Sequence, residues 1–133
     1  MNTSEEKIRL LKEMIAFSAV NGKLSKKDYD FLFLIANKLD IERGVFIDLF
    51  NQELPKLPIR NEFQRIQQFY RLALIMYREE LLDLNESIGM QQIAIGMGLD
   101  TEATKRVLKR MKKNPDSIIP PEALLKIFNE ERS

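Results

Sequence analysis

At 133 residues, with 44% hydrophobic and 31% charged side chains, the chain has the length and composition of one folded domain. Twenty-one basic residues against twenty acidic ones leave a net charge of +1, too little for a protein held to nucleic acid by bulk charge alone. Cysteine and histidine are both absent, which excludes disulfides, thiolate nucleophiles, Cys/His zinc sites, serine–histidine triads and imidazole acid–base chemistry.

The first residues, Met1 to Glu6, are polar and have neither the basic start nor the apolar run of a signal peptide. No apolar run approaches the roughly 18 residues that a spanning helix needs, so a cytoplasmic location is expected. Helical periodicity then begins at Ser4 and runs to Val20, with Ile8, Leu11 and Ile15 on one face. Asn21-Gly22 suits a left-handed C-terminal cap. Ser25, with Asp28 three positions on, opens a second helix whose run Phe31-Leu32-Phe33-Leu34-Ile35-Ala36 is apolar nearly all round, as expected at the centre of a bundle. A third helix, about Glu42 to Glu53, carries the stripe Val45, Phe46, Leu49, Phe50 and stops before Pro55 and Pro58.

A long fourth helix is predicted from Arg60 to about Glu79, with Phe63, Ile66, Tyr70, Ala73 and Tyr77 in register. The fifth runs from Leu84 to Met97 and is terminated by Gly98. The sixth runs from Asp100 to Lys113, burying Ala103, Val107, Leu108 and Met111, and ends at Asn114-Pro115. Pro120-Pro121-Glu122 starts a last helix with Leu124, Leu125 and Phe128 facing inward. Period-2 alternation is nowhere sustained. The class is all-α, and the aromatic side chains at helical spacing, from Phe46 to Tyr77, are expected in the core.

Shifted by 58 positions, the sequence meets itself. Ile35-Ala36 falls on Ile93-Ala94, Leu39-Asp40-Ile41-Glu42 on Met97-Gly98-Leu99-Asp100, and Ser25-x-x-Asp28 on Asp83-x-x-Glu86. The expected architecture is a single domain over residues 1–133. It is a seven-helix bundle built from a duplicated three-helix unit, about 4–53 and about 60–113, plus a C-terminal helix at about 120–131. The two copies are expected to pack on each other about an approximate two-fold, since neither can bury its apolar face alone.

The run Ala19-Val20-Asn21-Gly22-Lys23-Leu24-Ser25-Lys26-Lys27-Asp28, followed by Ile35-Ala36-Asn37-Lys38-Leu39-Asp40-Ile41, resembles the TerB-like tellurite-resistance family, whose fold is related to the DnaJ-like membrane co-chaperone domain. Met76 to Glu86 resembles the same pattern more loosely, and the likeness spans roughly residues 8 to 111. The family's usual Asp-Gly at the turn is replaced by Asn21-Gly22 in one copy and Glu79-Glu80 in the other.

That resemblance implies divalent-cation binding through acids near the turns, and Glu79, Glu80, Asp83 and Glu86 are the cluster that answers to it. Carboxylate oxygens suit a hard cation such as calcium or magnesium, and four within eight residues can converge at a helix–loop–helix junction. The same residues also fit a capping box beside a solvated helix end, and the alternating acids and central glycine of an EF-hand are missing. The resemblance further implies a non-enzymatic module of a stress-response or envelope-associated system, acting through a partner protein or a cation and reaching a membrane only through a partner.

A second constellation is the run from Gln91 to Lys113, which fits a DNA-binding helix-turn-helix. It has Ala94, a glycine four positions later at the turn, and a second helix carrying Lys105, Arg106, Lys109, Arg110 and Lys113. The corresponding helix of the first copy carries Glu42, Arg43 and Asp48 instead, and Thr104 stands where such motifs place a buried aliphatic side chain. Cations near a helix C-terminus are also favoured by the dipole alone, as part of a solvated face.

Overall fold

Leu10, Leu11, Met14 and Ile15 are buried, the i, i+1, i+4, i+5 spacing that turns one stripe of a helix inward. They lie on α1, Thr3–Ser18, whose first turn places Glu5 and Glu6 at the positive end of the helix dipole. The computed structural model describes residues 3–19, 23–54, 61–78 and 87–132. It divides into two compact units, Met1–Arg60 and Asn61–Ser133. Among the described residues there are seven α-helices and no β-strand.

In the first unit α1 packs on α2, Lys26–Lys38, and α2 on α3, Arg43–Leu49. Ser25 caps α2 as its sequence predicts, its hydroxyl accepting the Asp28 N–H at 3.1 Å. Leu32, Ile35 and Ala36 are buried, but Phe31 and Phe33 are only half-buried and Leu34 is 43% exposed. The all-round burial expected of α2 is therefore not found, because the α1 and α3 contacts leave one side of the helix open. Helix α3 ends at Leu49 rather than near Glu53 and buries Phe46 and Leu49, while Val45 faces out at 42% exposure. Phe46 lies among Tyr29, Phe33 and Phe50, with ring centroids 5.2–5.5 Å away.

In the second unit α4, Glu62–Arg78, packs on α5, Ser87–Gly96, and on α7, Pro121–Glu131. Helix α6, Thr101–Lys113, packs on the same two. Helix α4 starts in a reciprocal capping box that the sequence reading passes over. Asn61 Oδ1 accepts the Gln64 N–H at 2.9 Å, and Gln64 Oε1 accepts the Asn61 N–H at 3.1 Å. Leu84 to Glu86, the start that the sequence predicts for the fifth helix, lie outside the described residues. The loop after α6 is fastened to α4 by Tyr70, whose hydroxyl oxygen accepts the N–H of buried Ile119 at 2.7 Å. Pro121 then opens α7, which buries Leu124, Ile127 and Phe128. Leu125, expected inward, is on the outer face at 36% exposure, and Ile127 takes the inward place.

The chain leaves α2 and α5 through turns of one geometry. Asp40 (φ 58°) and Gly98 (φ 74°) each hold the left-handed conformation that ends a helix. The Asp40 N–H donates to Asn37 O at 3.1 Å and the Ile41 N–H to Ala36 O at 2.9 Å. In the same order, Gly98 donates to Ile95 O at 3.0 Å and Leu99 to Ala94 O at 2.9 Å. Both are Schellman turns, and Ile41 and Leu99 are buried just beyond them. Glu42 and Asp100 follow as the next N-cap residues, both in extended backbone.

Candidate functional site

Helix α6 owes its place to that turn. Asp100 Oδ1 accepts the Ala103 N–H at 3.0 Å, and the buried row Ala103, Thr104, Val107, Leu108, Met111 holds the inner face. Thr104 sits in that row at no cost in lost hydrogen bonds, because its hydroxyl donates to Thr101 O at 2.8 Å and leaves only the methyl to pack. A threonine thus serves where the motif expects an aliphatic side chain. Arg65 of α4 donates from Nη1 to Met97 O at 3.2 Å, steadying the turn from behind.

The outer face carries the basic residues named from the sequence, and their surroundings differ. Lys105 pairs with Glu102 one turn earlier at 3.1 Å. Arg106 reaches α7, where Nη2 meets Glu130 Oε1 at 3.0 Å, Nη1 meets Glu131 Oε1 at 3.1 Å, and Nη1 also approaches Ile127 O at 3.5 Å. Lys109, Arg110 and Lys113 are exposed and form no ion pair among the described residues. Lys105, Lys109 and Lys113 recur every fourth residue, on one stripe, with Arg110 beside it.

The hydrogen bonds from Glu130 and then Glu131 hold the Arg106 guanidinium above its ordinary pKa, and burial pushes the Tyr77 phenol up. Neither group exchanges protons near neutrality. Glu130 and Glu131 are the site residues that the sequence reading passes over. The sequence signals only that two acids in the last turn of a helix oppose its dipole; which cation meets them is set by the packing of α6 on α7.

The four acids of the proposed cation cluster, Glu79, Glu80, Asp83 and Glu86, lie outside the described residues, as does the Asn21-Gly22 turn. Among the described residues, no three acidic side chains stand close enough to hold a metal ion. None of the helices described is long and apolar enough to cross a membrane. No family model, curated protein or solved structure matches this chain.

Proposed function

We propose that the chain is a non-enzymatic, TerB-like helical module, built from two copies of a three-helix unit and a closing helix, that acts by binding a partner protein or a divalent cation. A stress-response or envelope-associated role goes with that resemblance. The observation supporting it is the matched pair of turns. The residues that ground the resemblance in the first copy, Leu39-Asp40-Ile41, and their counterparts Met97-Gly98-Leu99 make the same hydrogen bonds in the same order. A shared turn at a constant register shift is what a duplicated unit leaves behind.

Titration calorimetry with calcium, magnesium and zinc tests the cation arm. Sub-millimolar binding that is lost in E79Q/E80Q/D83N/E86Q would support it, and no heat at millimolar metal removes it. Cross-linking of the tagged chain in cells, followed by identification and reconstitution of what it captures, tests the partner arm.

The exposed stripe of α6 favours a second reading, nucleic-acid binding through residues 91–113. Duplex DNA would then be retained in a salt-dependent way, and K105A/R106A/K109A/R110A would abolish it. Retention unchanged by those substitutions rejects the reading.

A further inference from the structure

We infer that the outer face of α6, centred on Lys109, Arg110 and Lys113, docks an acidic, partly apolar segment of a partner protein. The inference rests on the partner-binding reading and supplies the surface and the partner's chemistry.

Three observations converge on it. The first is the unequal neutralisation along α6. In its N-terminal half Lys105 is paired to Glu102, and Arg106 to Glu130 and Glu131. The C-terminal half keeps three exposed cations whose charge no neighbouring carboxylate offsets among the described residues. The second is the contact that the fold itself makes. Arg106 is met by two consecutive helix-borne carboxylates, so the row one turn further along offers a second acidic segment the same kind of partner. The third is Ile118, 75% exposed in the loop that directly follows α6, the most exposed of the large apolar side chains described. Its neighbour Ile119 is buried and its N–H is held by the Tyr70 hydroxyl, so the loop is anchored at the residue next to Ile118.

Nucleic acid fits this distribution less well. A groove-bound recognition helix meets bases with its N-terminal residues, and here that half carries Glu102 and lies against Glu130 and Glu131. Glu102, Glu130 and Glu131 already engage the two cations of that half, Lys105 and Arg106, which leaves neither free for phosphate. The net charge of +1 supplies little long-range attraction to a duplex.

Fluorescence anisotropy of the full chain with a labelled peptide of repeated Glu-Glu-Ala-Leu units tests the inference, beside a labelled DNA duplex. The peptide should bind in a salt-dependent way, and K109A/R110A/K113A should weaken it about tenfold, the sum expected of a few exposed charge pairs. I118S should weaken it by a smaller factor. E130Q/E131Q should strengthen it, because Arg106 is then released to the peptide, a gain that no merely structural role of those acids would produce. Absence of peptide binding, or binding indifferent to the triple substitution, overturns the inference, as does duplex retention that depends on the same three residues. A reconstituted partner whose binding ignores K109A/R110A/K113A would overturn this surface while leaving the partner-binding reading standing. Failure to find either peptide binding or a partner rejects both.

Discussion

The turn over Leu39–Glu42 and the turn over Met97–Asp100 share their hydrogen bonds, their left-handed residue and the burial that follows, yet the helices that leave them are held by different means. Helix α3 is seven residues long, and Phe46 anchors it in a cluster of rings. Helix α6 is thirteen residues long and is anchored by a row of small and medium side chains, with Thr104 at the place of Phe46. A short helix is not stable by itself, so Phe46 and Leu49 must do in α3 what five side chains do in α6. The longer helix gains an outer face, and that face is where the charge is.

The largest test of this contrast lies at the paired positions 46 and 104. Phe46→Ala should destabilise the first unit by about 3–5 kcal/mol, since it removes the ring that the cluster packs around. Thr104→Val should change stability by less than about 1 kcal/mol, because the hydroxyl only supplements a helical carbonyl. Urea unfolding monitored by circular dichroism separates the two outcomes. Equal losses would mean that the two helices are held alike.

The turns themselves are the next point of attack. Gly98→Ala should cost about 1–2 kcal/mol, from forcing a Cβ into the left-handed region. The built Cβ would also stand 3.2 Å from Arg65 Nη1. Asp40→Gly, at the matching position, should stabilise by about 0.5–1 kcal/mol, because glycine adopts that backbone without strain. Shifts of opposite sign in thermal midpoint are expected. A loss at both positions would show that Asp40 has a role beyond its conformation.

A smaller effect distinguishes the two caps. Asp100→Ala should cost about 1 kcal/mol, the usual worth of a side-chain oxygen on a free helix N–H. Glu42→Ala should cost close to nothing, because the Glu42 side chain makes no capping bond. If Glu42→Ala proves as damaging as Asp100→Ala, the carboxylate of Glu42 is engaged in some other way.

Much of this was legible in the residues themselves. Ser25, Asp100, Gly98 and Pro121 act through local backbone chemistry, so the caps and stops they mark appear where the sequence places them. The sidedness of the helices was less legible, because a run such as Phe31 to Ala36 offers apolar residues in every direction and the packing neighbours choose among them. Leu34 and Val45 are outside for that reason, and Leu125 gives its inward place to Ile127. The Asn61–Gln64 box was written in the sequence and needed only the spacing to be noticed. The Arg106 contact was not, since its partners lie 24 and 25 residues away and meet it only through the packing of α6 on α7. The basic residues of α6 could be named from the sequence, but which of them the fold itself neutralises could not.

A further small effect is a gain, and it probes why α3 is short. Gly44 stands inside α3, where glycine costs up to about 1 kcal/mol relative to alanine because the unfolded chain has more freedom to lose. A Cβ built there meets nothing within 4 Å, and its φ lies outside the left-handed region. Gly44→Ala should therefore stabilise the first unit by about 0.5–1 kcal/mol, read as a raised urea midpoint. In the Phe46→Ala background the same substitution should recover only a small part of the loss, because helix propensity does not replace a buried ring. Full recovery would mean that α3 is limited by its backbone rather than by its anchor, and the contrast with α6 would then rest on Gly44 alone.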